Sequence, residues 1–377
     1  MKIRIPSHRP CLGPAELEQV RRVLDTRWLG TGALTREFED TLRAYLGVKH
    51  VLSVNSGTAA LHMALDAVGL EPGDEVVLPS LTFVSSAQAV LAVGARPVFC
   101  EVLPGTLTID VADAARHVTP RTRALIPVHY GGRVCDMDAV RRLADQRHLA
   151  VVEDAAHAFG STWNGRFAGT LGDAGCFSFD PIKNITCGGG GAVATNNDAL
   201  AARIRPRRNV GIDVSSWDRI ESSRPWLYDV VSAGFRYQMS DLNAGIGLAQ
   251  FEKLDAFRRR KCDIVARYDS ALAATPGLVP IRHAIDGVFP FNYVVRVVGG
   301  QRDALMLRLR EKGIGATVQF HPCHLHAVFR AGRQELPVTE QLGREIVTLP
   351  LYVEMSDADV EEVVSVVTSF LRQESFA

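Results

Sequence analysis

Seven short apolar runs, set between helical patterns over residues 50–195, constrain this chain more than any other feature. HVLSV (50–54), EVVLPS (75–80), RPVFCEV (96–102), RALIPV (123–128), LAVVED (149–154), GCFSF (175–179) and GAVAT (191–195) are apolar along most of their length instead of alternating. A strand without a polar face must be covered on both sides, and crossovers long enough for a helix favour parallel neighbours. The pattern predicts helices over about 58–68 and 85–93, and a mainly parallel, seven-stranded α/β sheet sandwiched by helices. In such a sheet a ligand sits beyond the carboxyl ends of the strands. The residues that follow each run are therefore where chemistry is to be sought.

Past residue 240 the texture changes. The sequence predicts one long helix over about 240–268, a Pro- and Gly-containing stretch (276–290) and a strand at 292–298. A helix at 303–312, a strand at 316–320 and a closing helix at about 357–373 follow. This reads as a large α/β domain over 1–250 and a smaller α+β domain over 251–377, as a chain this long allows. Lys+Arg and Asp+Glu balance at 42 each, so no net field recruits nucleic acid or an anionic membrane. Seven cysteines without a CxxC pair point to reduced thiols in a cytoplasmic protein, not to disulfides or a zinc site. No run has the length of a signal peptide or a membrane span.

Four strand ends carry candidate chemistry. After the first run, Ser56, Gly57 and Thr58 open a helix, either as an ordinary cap or as a cradle for an anion. Phe83 follows the second run and is either core or a platform for a planar ligand. Glu153 and Asp154 end the fifth run, with His157 just beyond; they offer a carboxylate to a site, a helix cap, or a structural histidine. After the sixth run comes FSFDPIKNITCGGGGAV, where Lys183 is a surface cation beside a glycine turn or a Schiff-base lysine. Taken together, the four supply an anion cradle, a stacking ring, a carboxylate and a lysine at one sheet edge, the set that pyridoxal phosphate needs. A nicotinamide reading fails, because no GxGxxG follows the first strand.

At this point the residues resemble a known family. NSGTAALHMAL, GDEVVLPSLTFVSSAQAV, VVEDAAHAFGS, FSFDPIKNITCGGGGAV, FRYQMSDLNAGIGLAQFEKLDA and GIGATVQFHPCHLH, in this order, are similar to the DegT/DnrJ/StrS family of sugar aminotransferases. The resemblance implies fold type I of pyridoxal-phosphate enzymes and a homodimer with shared active sites. It implies pyridoxal 5'-phosphate as cofactor, with pyridoxamine phosphate as its second form. The expected substrates are L-glutamate as amino donor and a nucleotide-linked keto-sugar, aminated at C4. Lys183 then falls at the Schiff-base position, Asp154 at the pyridine nitrogen and His157 at the ring hydroxyl. Gly57, Thr58 and Ser178 match phosphate contacts, and Phe83 the stacking aromatic. Arg236 and Gln238 are candidates for reaching the partner subunit's phosphate, where the family has asparagine. Asp180 stands where histidine is common and Gly189 where glutamate is. Gln319 replaces a frequent histidine, and His324 matches a histidine near the sugar nucleotide. A sugar 3-dehydratase would carry histidine at position 183, so Lys183 argues against that branch.

Overall fold

The computed structural model describes residues 3–220, 222–281, 287–332 and 334–374. Two helices precede the sheet, α1 (Pro14–Thr26) and α2 (Ala33–Leu46). Only Gly32 stands at the N-cap of α2, so no local side chain can satisfy its first N–H groups. Asp241, more than two hundred residues away, does so instead, accepting from Gly32 N at 2.8 Å and Thr35 N at 2.9 Å. A carboxylate at that end also suits the helix dipole.

From β1 (His50–Val54) the chain alternates as the apolar runs predict: α3 (Gly57–Val68), β2 (Glu75–Pro79), α4 (Ser85–Ala92), β3 (Arg96–Cys100) and α5 (Val111–Arg116). Then come β4 (Thr122–Leu125), α6 (Met137–Arg147), β5 (Ala150–Asp154), a hairpin of β6 (Thr162–Trp163) and β7 (Arg166–Phe167), β8 (Ala174–Ser178), β9 (Gly191–Thr195) and α7 (Asp198–Arg207). Seven of these strands form one sheet in the order β1-β9-β8-β5-β4-β2-β3. Strand β9 runs antiparallel to both its neighbours, and the other pairs are parallel. Every residue of β2, β8 and β9 is buried, which is why these runs show no polar alternation. Strand β4 is shorter than its apolar run, because Pro127 brings no N–H to the ladder.

The C-terminal part holds α8 (Ser216–Arg219), α9 (Asp241–Glu252), α10 (Leu254–Leu272), β10 (Leu278–Pro280), β11 (Tyr293–Val297), α11 (Arg302–Glu311), α12 (Pro337–Glu345), β12 (Ile346–Leu349) and α13 (Asp357–Glu374). Strands β10, β11 and β12 make a separate antiparallel sheet. Two sequence expectations need correction here. The helix over 240–268 is two helices, parted at Lys253, whose N–H turns back to Gln250 O in a tighter turn and whose ammonium pairs with Glu16. Residues 316–320 form no strand: Thr317 makes a single bridge to Thr348, and the chain then bends away.

Ile5 joins the apolar cluster of the C-terminal part, with Ile264, Tyr293, Leu305 and Val363, so the first residues belong to that layer. Helix α10 reaches both layers, since Leu254 and Phe257 pack with Phe38 and Phe179 while Ile264 and Tyr268 pack with Tyr293. Fully buried side chains of this size each contribute about 1.5–3 kcal/mol, and together they hold the strand ends in place. Among the described residues no helix is long and apolar enough to cross a membrane.

Candidate active site

Strands β1, β2, β5 and β8 point the same way, so Asn55, Thr82, Asp154 and Ser178 meet at one edge of the sheet. A cavity of about 290 Å³ opens there. The sequence-derived candidates Gly57, Thr58, Phe83, Asp154, His157, Ser178, Asp180, Lys183 and Gln319 all line it, as does Gly189.

The anion cradle is a helix start. Ser56 caps α3, its hydroxyl accepting from Ala59 N at 3.0 Å, which leaves the first N–H groups of the helix at the cavity end. The cap therefore leaves an anion cradle possible at the same helix start. Gly57 is required by contact: a Cβ there would lie 2.7 Å from Ser178 Cβ. Of the four glycines after Lys183, two are demanded by the backbone. Gly188 has φ +73°, and a Cβ on Gly191 would lie 2.4 Å from Ser56 O. A Cβ at Gly189 meets nothing within 4 Å, so no contact at that atom requires glycine there.

Neighbouring residues on β5 point to opposite faces of the sheet, which separates the two carboxylates. Glu153 turns away from the cavity and accepts from Gly169 N at 2.8 Å and from Leu171 N at 2.6 Å. His129 lies 2.8 Å from it; burial opposes the charge of that ring, but Cys135 and Glu153 outweigh burial and push it up to about 10. Asp154 faces the cavity and is held by two donors, Ser86 Oγ at 2.7 Å and Ala156 N at 3.1 Å. Thr82 Oγ1 lies 2.8 Å from Ser86 Oγ, so a hydroxyl relay orients the carboxylate.

Lys183 is half-buried, and its Nζ sits 4.6 Å from the centroid of the Phe291 ring. Burial pulls the amine down to about 8, while Asp154 and Asp180 pull the other way. An amine in that range can be neutral, and therefore nucleophilic, near physiological pH. His157 is buried and stacked on Phe291, with centroids 4.1 Å apart. Burial, Lys183 and His8 hold its proton affinity well below the ordinary histidine value. Its Nδ1 accepts from Gly131 N at 3.4 Å, so the neutral ring carries its proton on Nε2 and can donate one hydrogen bond.

Three candidates lie outside this cavity, of which Arg236 and Gln238 are expected at the partner subunit's phosphate and not in the cavity of their own chain. His324, expected near the substrate, is 1 % exposed; its ring lies 2.6 Å from Ser80 Oγ and 3.3 Å from Glu340. The reason is local: the 323–325 turn docks under the end of β2, with Cys323 N donating to Ser80 O, and this turns His324 inward. Arg236 and Gln238 lie on the segment that passes Asn55, whose N donates to Tyr237 O. Arg236 is exposed, and Gln238 lines a separate polar cleft with Thr31 and Arg208. Sequence reasoning in turn missed Ser86, Phe291 and Phe320. Ser86 had a signal, one helical turn after Phe83, whereas Phe291 and Phe320 come from the C-terminal part and had none.

The walls suit pyridoxal phosphate. Gly57 leaves Ser178 and the start of α3 free to hold a phosphate, the exposed ring of Phe83 offers a face, and Asp154 and Lys183 supply an acid partner and an amine.

Residues 10–368 match the model of the DegT/DnrJ/EryC1/StrS aminotransferase family. The chain is 38% identical, over 379 residues, to the spore coat polysaccharide biosynthesis protein SpsC of Bacillus subtilis (strain 168), across 98% of this chain and 97% of that one. The aminotransferase TlmJ from Streptoalloteichus hindustanus has a TM-score of 0.93 at 37% identity, covering 98% of this chain and 100% of TlmJ. Spr1654 from Streptococcus pneumoniae, in its PMP form, also has a TM-score of 0.93, at 27% identity and with coverage of 98% and 100%. It has been solved in a PLP form as well.

Proposed function

The chain belongs to the DegT/DnrJ/EryC1/StrS aminotransferase family, and from that premise we propose that it aminates C4 of a nucleotide-linked keto-sugar, with L-glutamate as donor. The coarser statement stands by itself: this is a pyridoxal-phosphate-dependent sugar aminotransferase. The observation that carries the residue assignment is Lys183, a half-buried amine of lowered proton affinity on the cavity wall that Asp154 shares.

When bound, pyridoxal phosphate supplies a carbonyl to carry the amino group and a ring that accepts electrons from the reacting carbon. Gly57, Thr58 and Ser178, on the cavity wall, would hold its phosphate. Asp154, oriented by Ser86, keeps a proton on the pyridine nitrogen. His157 offers its Nε2 proton to the ring hydroxyl. Lys183 would hold the cofactor through its amine and, when free, would be the base that takes the proton from the donor's α-carbon. With the keto-sugar the same groups work in reverse. Asp180 and Gln319, on the cavity wall, would face the sugar.

The assay that tests this incubates the purified protein with L-glutamate and a panel of 4-keto and 3-keto nucleotide sugars, with mass and NMR analysis of the product. The expected product bears an amine at C4. Amination of 3-keto sugars or of a cyclitol ketone alone would overturn the C4 reading.

The same reading includes a homodimer with shared sites, and the segment before Arg236 supports it. Trp226, Leu227, Val230 and Val231 are 73%, 60%, 58% and 56% exposed, an apolar run that a lone soluble subunit rarely leaves open. The variant Trp226→Asp/Val230→Asp is expected to elute as a monomer in size exclusion with light scattering, and to bind the cofactor at least about tenfold more weakly. A variant that remained dimeric would exclude this segment from the interface.

A further inference from the structure

Gln319 is tied to a second amide behind the cavity wall. Asn292, the residue before β11, is fully buried, and its Nδ2 donates to Gln319 Oε1 at 2.8 Å. Gln319 is 7 % exposed and lines the cavity, whereas Asn292 does not. The next residue anchors the segment: the Phe320 ring lies 5.6 Å from that of Phe83 and 5.7 Å from that of His157, centroid to centroid.

A primary amide donates at one end and accepts at the other, so its use depends on which end faces the ligand. Charge decides this for Asn292. A Cβ on Gly131 would lie 2.3 Å from Asn292 Oδ1 and 2.7 Å from Arg133 Nη1, so the carbonyl end of Asn292 shares one small niche with a buried guanidinium. The reverse orientation would set an N–H against that cation. The Nδ2 end is thereby committed to Gln319, and Gln319 answers with its oxygen. Its Nε2 then keeps two N–H groups that bond to no described residue, and this atom is not sealed inside the protein. A donor so placed calls for an acceptor in the cavity.

We propose that Asn292 is a positioning residue that makes Gln319 a hydrogen-bond donor to an oxygen of the keto-sugar. Asn292 acts only through Gln319, by holding the amide in one of its two orientations. Asp180, on the same wall, offers a carboxylate that accepts, so the two side chains read a substrate from opposite sides of the hydrogen-bond code. The inference rests on the reading of this cavity as a sugar site.

The test is a double-mutant cycle on the loaded enzyme, with KM measured for the keto-sugar that the wild type aminates. The glutamate half-reaction is followed separately by the absorbance of the cofactor. Asn292→Leu is expected to raise the keto-sugar KM about fivefold or more and to leave the glutamate half-reaction within about twofold. Made in a Gln319→Leu background, where no amide remains to be oriented, Asn292→Leu is expected to change KM by less than about twofold. A structural defect would act equally in both backgrounds. Gln319→Glu leaves the buried Asn292 in place and can still accept from its Nδ2, but offers the cavity an oxygen instead of an N–H; its KM is expected to rise at least about tenfold. Equal effects of Asn292→Leu in the two backgrounds, or a Gln319→Glu KM within twofold of wild type, would overturn the proposal. A wild type that aminates no keto-sugar would fail the functional reading and this proposal with it, whereas equal effects in an active enzyme fail this proposal alone.

Discussion

Lys183→Ala is expected to fold, to show no lysine-bonded absorbance of the cofactor in the visible range, and to lose turnover by about 10⁴-fold or more. The general-base role alone is worth about 10²–10⁴-fold, and loss of the bond that holds the cofactor adds to it. The fold should survive because Lys183 contributes little to packing: it is half-buried, and its visible contact is with the Phe291 ring, which His157 and His8 still cover. Absorbance spectra and single-turnover assays with glutamate check both halves. A variant that kept the absorbance and the turnover would remove Lys183 from its role and place the chemistry on another amine.

Asp154→Asn should leave the site assembled but slow. The amide keeps the size of the carboxylate and can still accept from Ala156 N, so the cofactor should still bind. What goes is the negative charge that keeps the pyridine nitrogen protonated, and the rate should fall by about 10²–10⁴-fold. The variant carries a second signature of known sign. Asp154 favours the charged form of Lys183, so removing it lowers the proton affinity of that amine below its value of about 8. Lys183 would then be neutral to lower pH than in the wild type, although the variant is slower. A rate within tenfold of wild type, measured with glutamate alone, would take Asp154 out of the mechanism.

The two variants together show how the site depends on burial. An exposed lysine would hold its proton near pH 10 and could not act as a base at neutral pH. Burial in the cavity wall opposes that proton, while Asp154 and Asp180 moderate the effect.

Much of this was legible from the chain because the information is local. Strands buried on both faces must be apolar throughout, so the seven runs announced the sheet, and β2, β8 and β9 are buried at every residue. The strand-end rule names Gly57, Thr58, Phe83, Asp154 and Lys183, and all five line the cavity. Other assignments depended on which way a side chain turns. His324 was placed by likeness near the substrate, but the docking of its turn on Ser80 faces it inward, whereas Gln319 from the same segment stays on the cavity wall. No periodicity or spacing could show that Asp241 caps α2, that Ser86 orients Asp154, or that two lysines lie near Phe291. Such contacts join residues tens to hundreds of positions apart and exist only once the layers have packed. By itself the sequence determined the sheet and the edge at which the candidate residues gather, because burial and strand direction leave periodic marks on a chain. Tertiary structure alone decided the proton affinity of that amine, since this depends on what is excluded from around it and which charges close in.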